Sequence, residues 1–127
     1  MTYSIKEAAE KFHLTTHTLR YYDKEGLLPS VKRTESGIRR FDDSDLEWLG
    51  LVCCLKNTGM PIKEIKRFID WCVEGDGTLS QRIGLLCDHR RQVEQQIAEL
   101  NHNLEKIDCK IDYYNNLCKA AKEGKGA

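Results

Sequence analysis

No apolar run in this sequence approaches the ~20 residues needed to cross a bilayer. The longest, Trp48 to Leu55, is the length of a core segment. Lys6, Glu7, Glu10 and Lys11 interrupt any apolar stretch near the start, so no secretory leader is legible and a cytoplasmic location without a membrane partner is expected. Net charge of one sign is also missing: 20 Lys and Arg balance 20 Asp and Glu, which argues against indiscriminate polyanion binding. A catalytic constellation is lacking too, because His13, His17, His89 and His102 are scattered and none stands with an acid and a nucleophile. No enzyme is expected. At 127 residues the chain has room for one compact domain, or a small head with an extended appendage. The six cysteines, without a secretory context, read as thiols, packing residues or metal ligands rather than disulfides.

What is present is organised. Ser4-Ile5-Lys6-Glu7 is a capping box that satisfies the first free amides of a helix. Ile5, Ala8, Ala9 and Phe12 follow at helical spacing, and His13-Leu14-Thr15-Thr16 supplies a turn and a second N-cap. The next helix is short and stops near Glu25 at Gly26, with Leu19 and Tyr22 on one side and Arg20 and Tyr21 turned away. Two short helices joined by a tight turn make a helix-turn-helix, whose second helix fits the major groove of DNA.

Beyond Pro29, Val31-Lys32-Arg33 and Ile38-Arg39-Arg40-Phe41 flank Thr34-Glu35-Ser36-Gly37, the pattern of a small hairpin, or wing. Between residues 30 and 41, Lys32, Arg33, Arg39 and Arg40 stand against Glu35 alone, a local charge of +3. Asp42 or Ser44 caps a third helix running through Asn57, Gly59 ends it, and Pro61 suits the first turn of a fourth. Ile62, Ile65, Ile69 and Cys72 line that fourth helix. Gly75-Asp76-Gly77 is the one wide glycine break, dividing a head at 1–75 from a dimerisation helix with a short tail at 76–127.

From Ile83 the pattern is the most regular in the chain. Ile83, Leu86, Val93, Ile97, Leu100, Leu104, Ile107, Ile111 and Tyr114 recur in steps of three and four, continue to Cys118, and are interrupted in the seam only by Arg90. This is a coiled-coil repeat on a helix about 50 Å long, and the head is too small to cover it. Its natural partner is a second copy of the chain, giving a homodimer. The fold class expected is mainly α: a winged helix-turn-helix head followed by a long coiled-coil dimerisation helix.

Double-stranded DNA is the expected partner of the head. Arg20 is the leading contact, since a guanidinium can grip guanine bidentately or clamp a phosphate. Thr15, Thr16 and His17 lie at a helix start that favours phosphate, although a threonine there also serves as a cap. Tyr21 offers a hydroxyl to the DNA backbone, whereas Tyr22 shares the register of Leu19 and reads as core. Lys32, Arg33, Arg39 and Arg40 alternate along the wing, so one of each neighbouring pair suffices to face DNA.

The order helix-turn-helix, Leu19-Arg20-Tyr21-Tyr22-Asp23, Gly26-Leu27-Leu28, Ser36-Gly37-Ile38-Arg39 and Gly59 before the fourth helix resembles the MerR family of bacterial transcriptional regulators. The resemblance implies a dimer joined by an antiparallel coiled coil, bound across an overlong promoter spacer that it bends and untwists so that RNA polymerase engages. Two familiar aromatics of the family are altered: Ile38 and Phe41 stand where hydroxyl-bearing residues are usual. That leaves the wing more dependent on its arginines.

Two mechanisms compete for the signal. Metal-sensing members of the family use a cysteine at the start of the long helix and a pair in a loop at its end. Here the helix start carries Ser80, and Cys109 and Cys118 lie on opposite faces if the helix persists. No metal site and no cofactor are expected. The thiol reading rests on Cys54, five residues before Gly59, which resembles a subgroup of small regulators answering to electrophiles and aldehydes. Its bland counterpart is a buried, inert thiol within the apolar run. Competing readings of the chain are a metal-responsive relative, an effector-independent architectural or excisionase-like protein, and a coiled-coil adaptor. No separate ligand-binding domain is expected.

Overall fold

Local chemistry sets the first turn of each short helix. The computed structural model describes the whole chain apart from Ser30, Ser36 and Ala127 and the side chains of Lys32 and Lys125. Helix α1 (Ile5–Lys11) begins at Ser4, whose hydroxyl accepts from the Glu7 amide at 3.1 Å while Glu7 accepts from the Ser4 amide at 3.0 Å. It ends one residue before Phe12, and His13 turns the chain in a left-handed conformation (φ 56°). Helix α2 (Thr16–Lys24) is capped by Thr15, whose hydroxyl accepts from the Thr18 amide. Gly26 stops it at φ 79°, where an added Cβ would also sit 2.8 Å from Lys66 Nζ.

The wing follows as β2 (Lys32–Arg33) and β3 (Arg39–Asp42), antiparallel, with Lys32 opposite Arg40 and Arg33 opposite Arg39. The loop closes through the Thr34 amide donating to the Ile38 carbonyl at 2.7 Å. A strand absent from the sequence reading, β1 (Thr2–Tyr3), pairs with the other edge of β3, so the sheet runs β1-β3-β2. Two residues carry too little pattern to announce a strand; β1 is ordered by β3 and by Tyr3, whose hydroxyl donates to Asp43 at 3.1 Å.

Helix α3 (Asp43–Asn57) opens on a second capping box, Asp42 with Asp45, so Asp42 rather than Ser44 is the cap. Helix α4 (Ile62–Glu74) follows, with Pro61 at the N-cap position just outside the first turn. Leu19, Tyr22, Leu27, Phe41, Leu49, Val52, Ile65 and Ile69 form the buried core on which α2, the wing base, α3 and α4 converge. Phe41 is fully buried, which accounts for a hydroxyl-free ring there. Truncating Leu49, likewise fully buried, is expected to cost about 3 kcal/mol. Urea unfolding of Leu49→Ala checks this, and a loss under about 1 kcal/mol would show a site that collapses readily.

The chain divides into two compact units, Met1–Cys87 and Asp88–Ala127. Gly75, Asp76 and Gly77 lie inside the first unit. Asp76–Thr78 form a single 3₁₀ turn. Thr78 is buried, its hydroxyl 2.6 Å from the Trp71 carbonyl and 2.7 Å from that of Gly75, and Arg82 donates to the same Gly75 carbonyl at 2.6 Å. Helix α5 (Leu79–Gly126) starts there, and Leu85 in its first turns still packs on the core.

In the second unit α5 continues without interruption past Cys109 and Cys118. Ile97, Leu100, Leu104, Ile107, Ile111 and Tyr114 are all more than half exposed on this single chain, and Val93 is half-buried. Earlier on the helix Ile83 and Leu86 are exposed as well. Arg90, the polar interruption of the seam, pairs with Glu94 at 3.5 Å. Among the described residues no helix is long and apolar enough to cross a membrane.

Candidate nucleic-acid interface

Helix α2 sorts its side chains by angle. Leu19 and Tyr22 turn into the core, and burial pushes the Tyr22 phenol above its ordinary pKa. Arg20, Tyr21 and His17 turn outward. Tyr21 remains 45% exposed against 6% for its neighbour, so the two adjacent tyrosines divide between surface and core. A cleft between α2 and the wing is lined by His17, Arg20, Tyr21, Asp23, Lys24, Arg33 and Arg39. Five residues singled out in sequence, His17, Arg20, Tyr21, Arg33 and Arg39, thus meet on one surface.

The others are placed differently. The hydroxyl of Thr15 is engaged in the cap, accepting from the Thr18 amide at 3.1 Å and donating to the Thr18 hydroxyl at 2.9 Å. Thr16 begins the helix, half-buried. Arg40 follows Arg39 in β3 and so points to the opposite face of the strand. Its side chain is exposed; hydrogen bonds from Ser4, the backbone amide foremost, hold the Glu7 carboxyl below its ordinary pKa, and the charge of Arg40 adds to the lowering. The side chain of Lys32 and residue Ser36 of the wing motif lie outside the described residues.

Within the cleft the wing arginines are not equivalent. Arg39 Nε donates to Asp23 Oδ2 at 2.5 Å, and these side chains are 21% and 15% exposed. Arg33 stands 3.8 Å from the same oxygen and keeps 55% of its surface. The sequence pattern named Asp23 as a member of the motif but assigned it no role. Its partner lies sixteen positions away, and the two meet only where α2 and the wing face each other across the cleft.

The cysteines separate by burial. Cys54 is exposed on α3, whereas Cys53 is half-buried and its thiol is pushed up in pKa by that burial. The reading of Cys54 as buried filler therefore does not describe the single chain. Among the described residues no group of three or more His, Cys, Asp or Glu side chains is placed to hold a metal ion.

A family model described as MerR HTH family regulatory protein matches residues 3–70, and a second, MerR, DNA binding, matches residues 46–108. An HTH-type transcriptional regulator of Haemophilus influenzae is 50% identical over 114 residues, covering 90% of this chain and 84% of that protein. The HTH-type transcriptional regulator AdhR of Bacillus subtilis is 39% identical over 90 residues, which are 71% of this chain and 64% of AdhR. Among solved structures, HiNmlR, described as a MerR family regulator lacking the sensor domain, bound to promoter DNA, superposes with a TM-score of 0.84 at 49% identity. That match covers 91% of this chain and 92% of HiNmlR. These relatives are transcriptional regulators, not enzymes.

Proposed function

The chain belongs to the MerR family of DNA-binding transcriptional regulators, and on that premise we propose that it acts as a cytoplasmic homodimer that distorts promoter DNA for RNA polymerase and answers to electrophiles through Cys54. The observation that carries the DNA reading is the division of α2 into a buried Leu19–Tyr22 side and an outward Arg20–Tyr21 side beside a cationic wing. Arg20 reads a base edge or a phosphate, His17, Tyr21 and Arg33 hold the DNA backbone, and Thr15 and Thr16 present the helix start. Arg39, Arg40 and Lys32 complete the wing's positive field.

Dimerisation uses the long helix. The seam from Ile97 to Tyr114 is a row of exposed apolar side chains at coiled-coil spacing, preceded by exposed Ile83 and Leu86, which an antiparallel second copy would cover.

Sensing through Cys54 draws its support from exposure. Its thiolate would add to the carbon of an aldehyde or an activated alkene, the thiol proton passing to solvent and the adduct taking a proton back at oxygen or carbon. The adduct changes α3 next to Leu55 in the core of the head. The test is transcription from a cognate promoter with and without a small aldehyde, comparing the wild type with Cys54→Ser. The substituted protein should bind DNA normally and stay at the uninduced level. An undiminished response would return Cys54 to a packing role.

A further inference from the structure

One carboxylate stands among the cations of the α2–wing cleft. On electrostatic grounds it opposes a polyanion, so its presence there calls for a compensating role. The wing supplies one. Arg33 and Arg39 are directly opposed across β2 and β3, and like charges facing each other across a strand pair destabilise it. Each strand contributes only two residues to that pairing, and a two-stranded hairpin is at best marginally stable without support. Asp23 Oδ2 sits within reach of both guanidiniums, 2.5 Å from Arg39 Nε and 3.8 Å from Arg33 Nη2.

We propose that Asp23 is a positioning residue for DNA recognition, which neutralises the opposed Arg33–Arg39 pair and pins the wing to α2 through Arg39. Arg39 then serves as the clamp, and Arg33, with most of its surface open, is the wing cation left for a phosphate. A guanidinium suits the clamp better than an ammonium because its Nε–H has a fixed direction. The inference rests on the proposed DNA-binding reading of this surface and deepens it: the distance from α2 to the wing, and hence which contacts are made together, is set by one ion triad.

The sign of one substitution separates this from a passive carboxylate. Duplexes selected from a random pool by the wild-type protein provide the specific site, and a scrambled duplex the nonspecific one. Asp23→Asn removes a negative charge, so electrostatics alone would tighten binding to both. If Asp23 positions the wing, affinity for the selected site should fall about tenfold while binding to the scrambled duplex holds or rises. Arg39→Gln should lose a similar factor without lowering the slope of affinity on salt concentration. The double variant should then be no worse than the worse single one. Specific binding by Asp23→Asn as tight as wild type or tighter would overturn the proposal. So would a salt slope reduced by about one per protomer in Arg39→Gln, which would make Arg39 a phosphate contact in its own right. Thermal unfolding confirms that the head stays folded; if Asp23→Asn lowers its midpoint, Arg39→Lys takes its place in the same comparisons. A random pool yielding no preferred sequence for the wild type would overturn the DNA-binding reading itself rather than the clamp alone.

Discussion

Arg20→Ala is expected to weaken binding to the selected promoter site by about 100-fold or more, bringing it close to the affinity for unrelated duplex. A single guanidinium gripping a base edge contributes about 1–3 kcal/mol of discrimination, and a homodimer loses the contact in both half-sites. The side chain is exposed on α2 and contributes nothing to the core, so the head should keep its unfolding midpoint and the protein its oligomeric state. Leu19 and Tyr22, its buried neighbours, would behave oppositely, losing fold and binding together. Fluorescence anisotropy with specific and scrambled duplexes checks the first expectation, and thermal unfolding the second. Unchanged selectivity would remove Arg20 from the recognition surface and shift the reading toward the wing.

The second large effect lies in the long helix. Ile97 and Leu104 are each 52% exposed on the single chain and lie one heptad apart in the seam. Placing aspartate at both positions puts carboxylates where the proposed partner helix must pack, and unpaired buried charge is far more costly than a lost methyl group. Sedimentation at micromolar concentration should show monomers. Their heads remain folded, since the core of the first unit does not include these residues. DNA affinity should nevertheless drop about 100-fold or more, because the second head no longer binds as a tethered neighbour. A dimer surviving both substitutions would place the interface elsewhere.

These two expectations draw on different kinds of information. The heptad seam is a pattern within one helix, legible because side chains three and four residues apart share a face wherever the helix lies. The capping boxes at Ser4 and Asp42 are local in the same way, each closing through atoms three residues apart. The division of Arg20 and Tyr21 from Leu19 and Tyr22 follows from the 100° step of the helix. By contrast β1 escaped the sequence reading, since its order comes from β3 some forty residues later. The order of the glycine break at 75–77 is not legible locally either, because it comes from the side chains of Thr78 and Arg82 reaching back to the carbonyls of Trp71 and Gly75.

The wing shows the division most sharply. Alternation along its strands established that neighbouring cations face opposite ways, but alternation has no sign. The tertiary structure turns Arg33 and Arg39 toward α2 and leaves Arg40 on the other face of the strand. It also sets Asp23 between the first two, a relation that depends on strand register and on the angle at which the chain leaves Gly26.

By itself, then, the sequence determined the short helices, the turn between them, the hairpin and the long amphipathic helix, because each is stabilised by interactions within a few residues. Which arginines gather round Asp23 and which cysteine is exposed were decided by packing among distant segments. Those outcomes depend on through-space distances of a few ångströms, which no local period encodes.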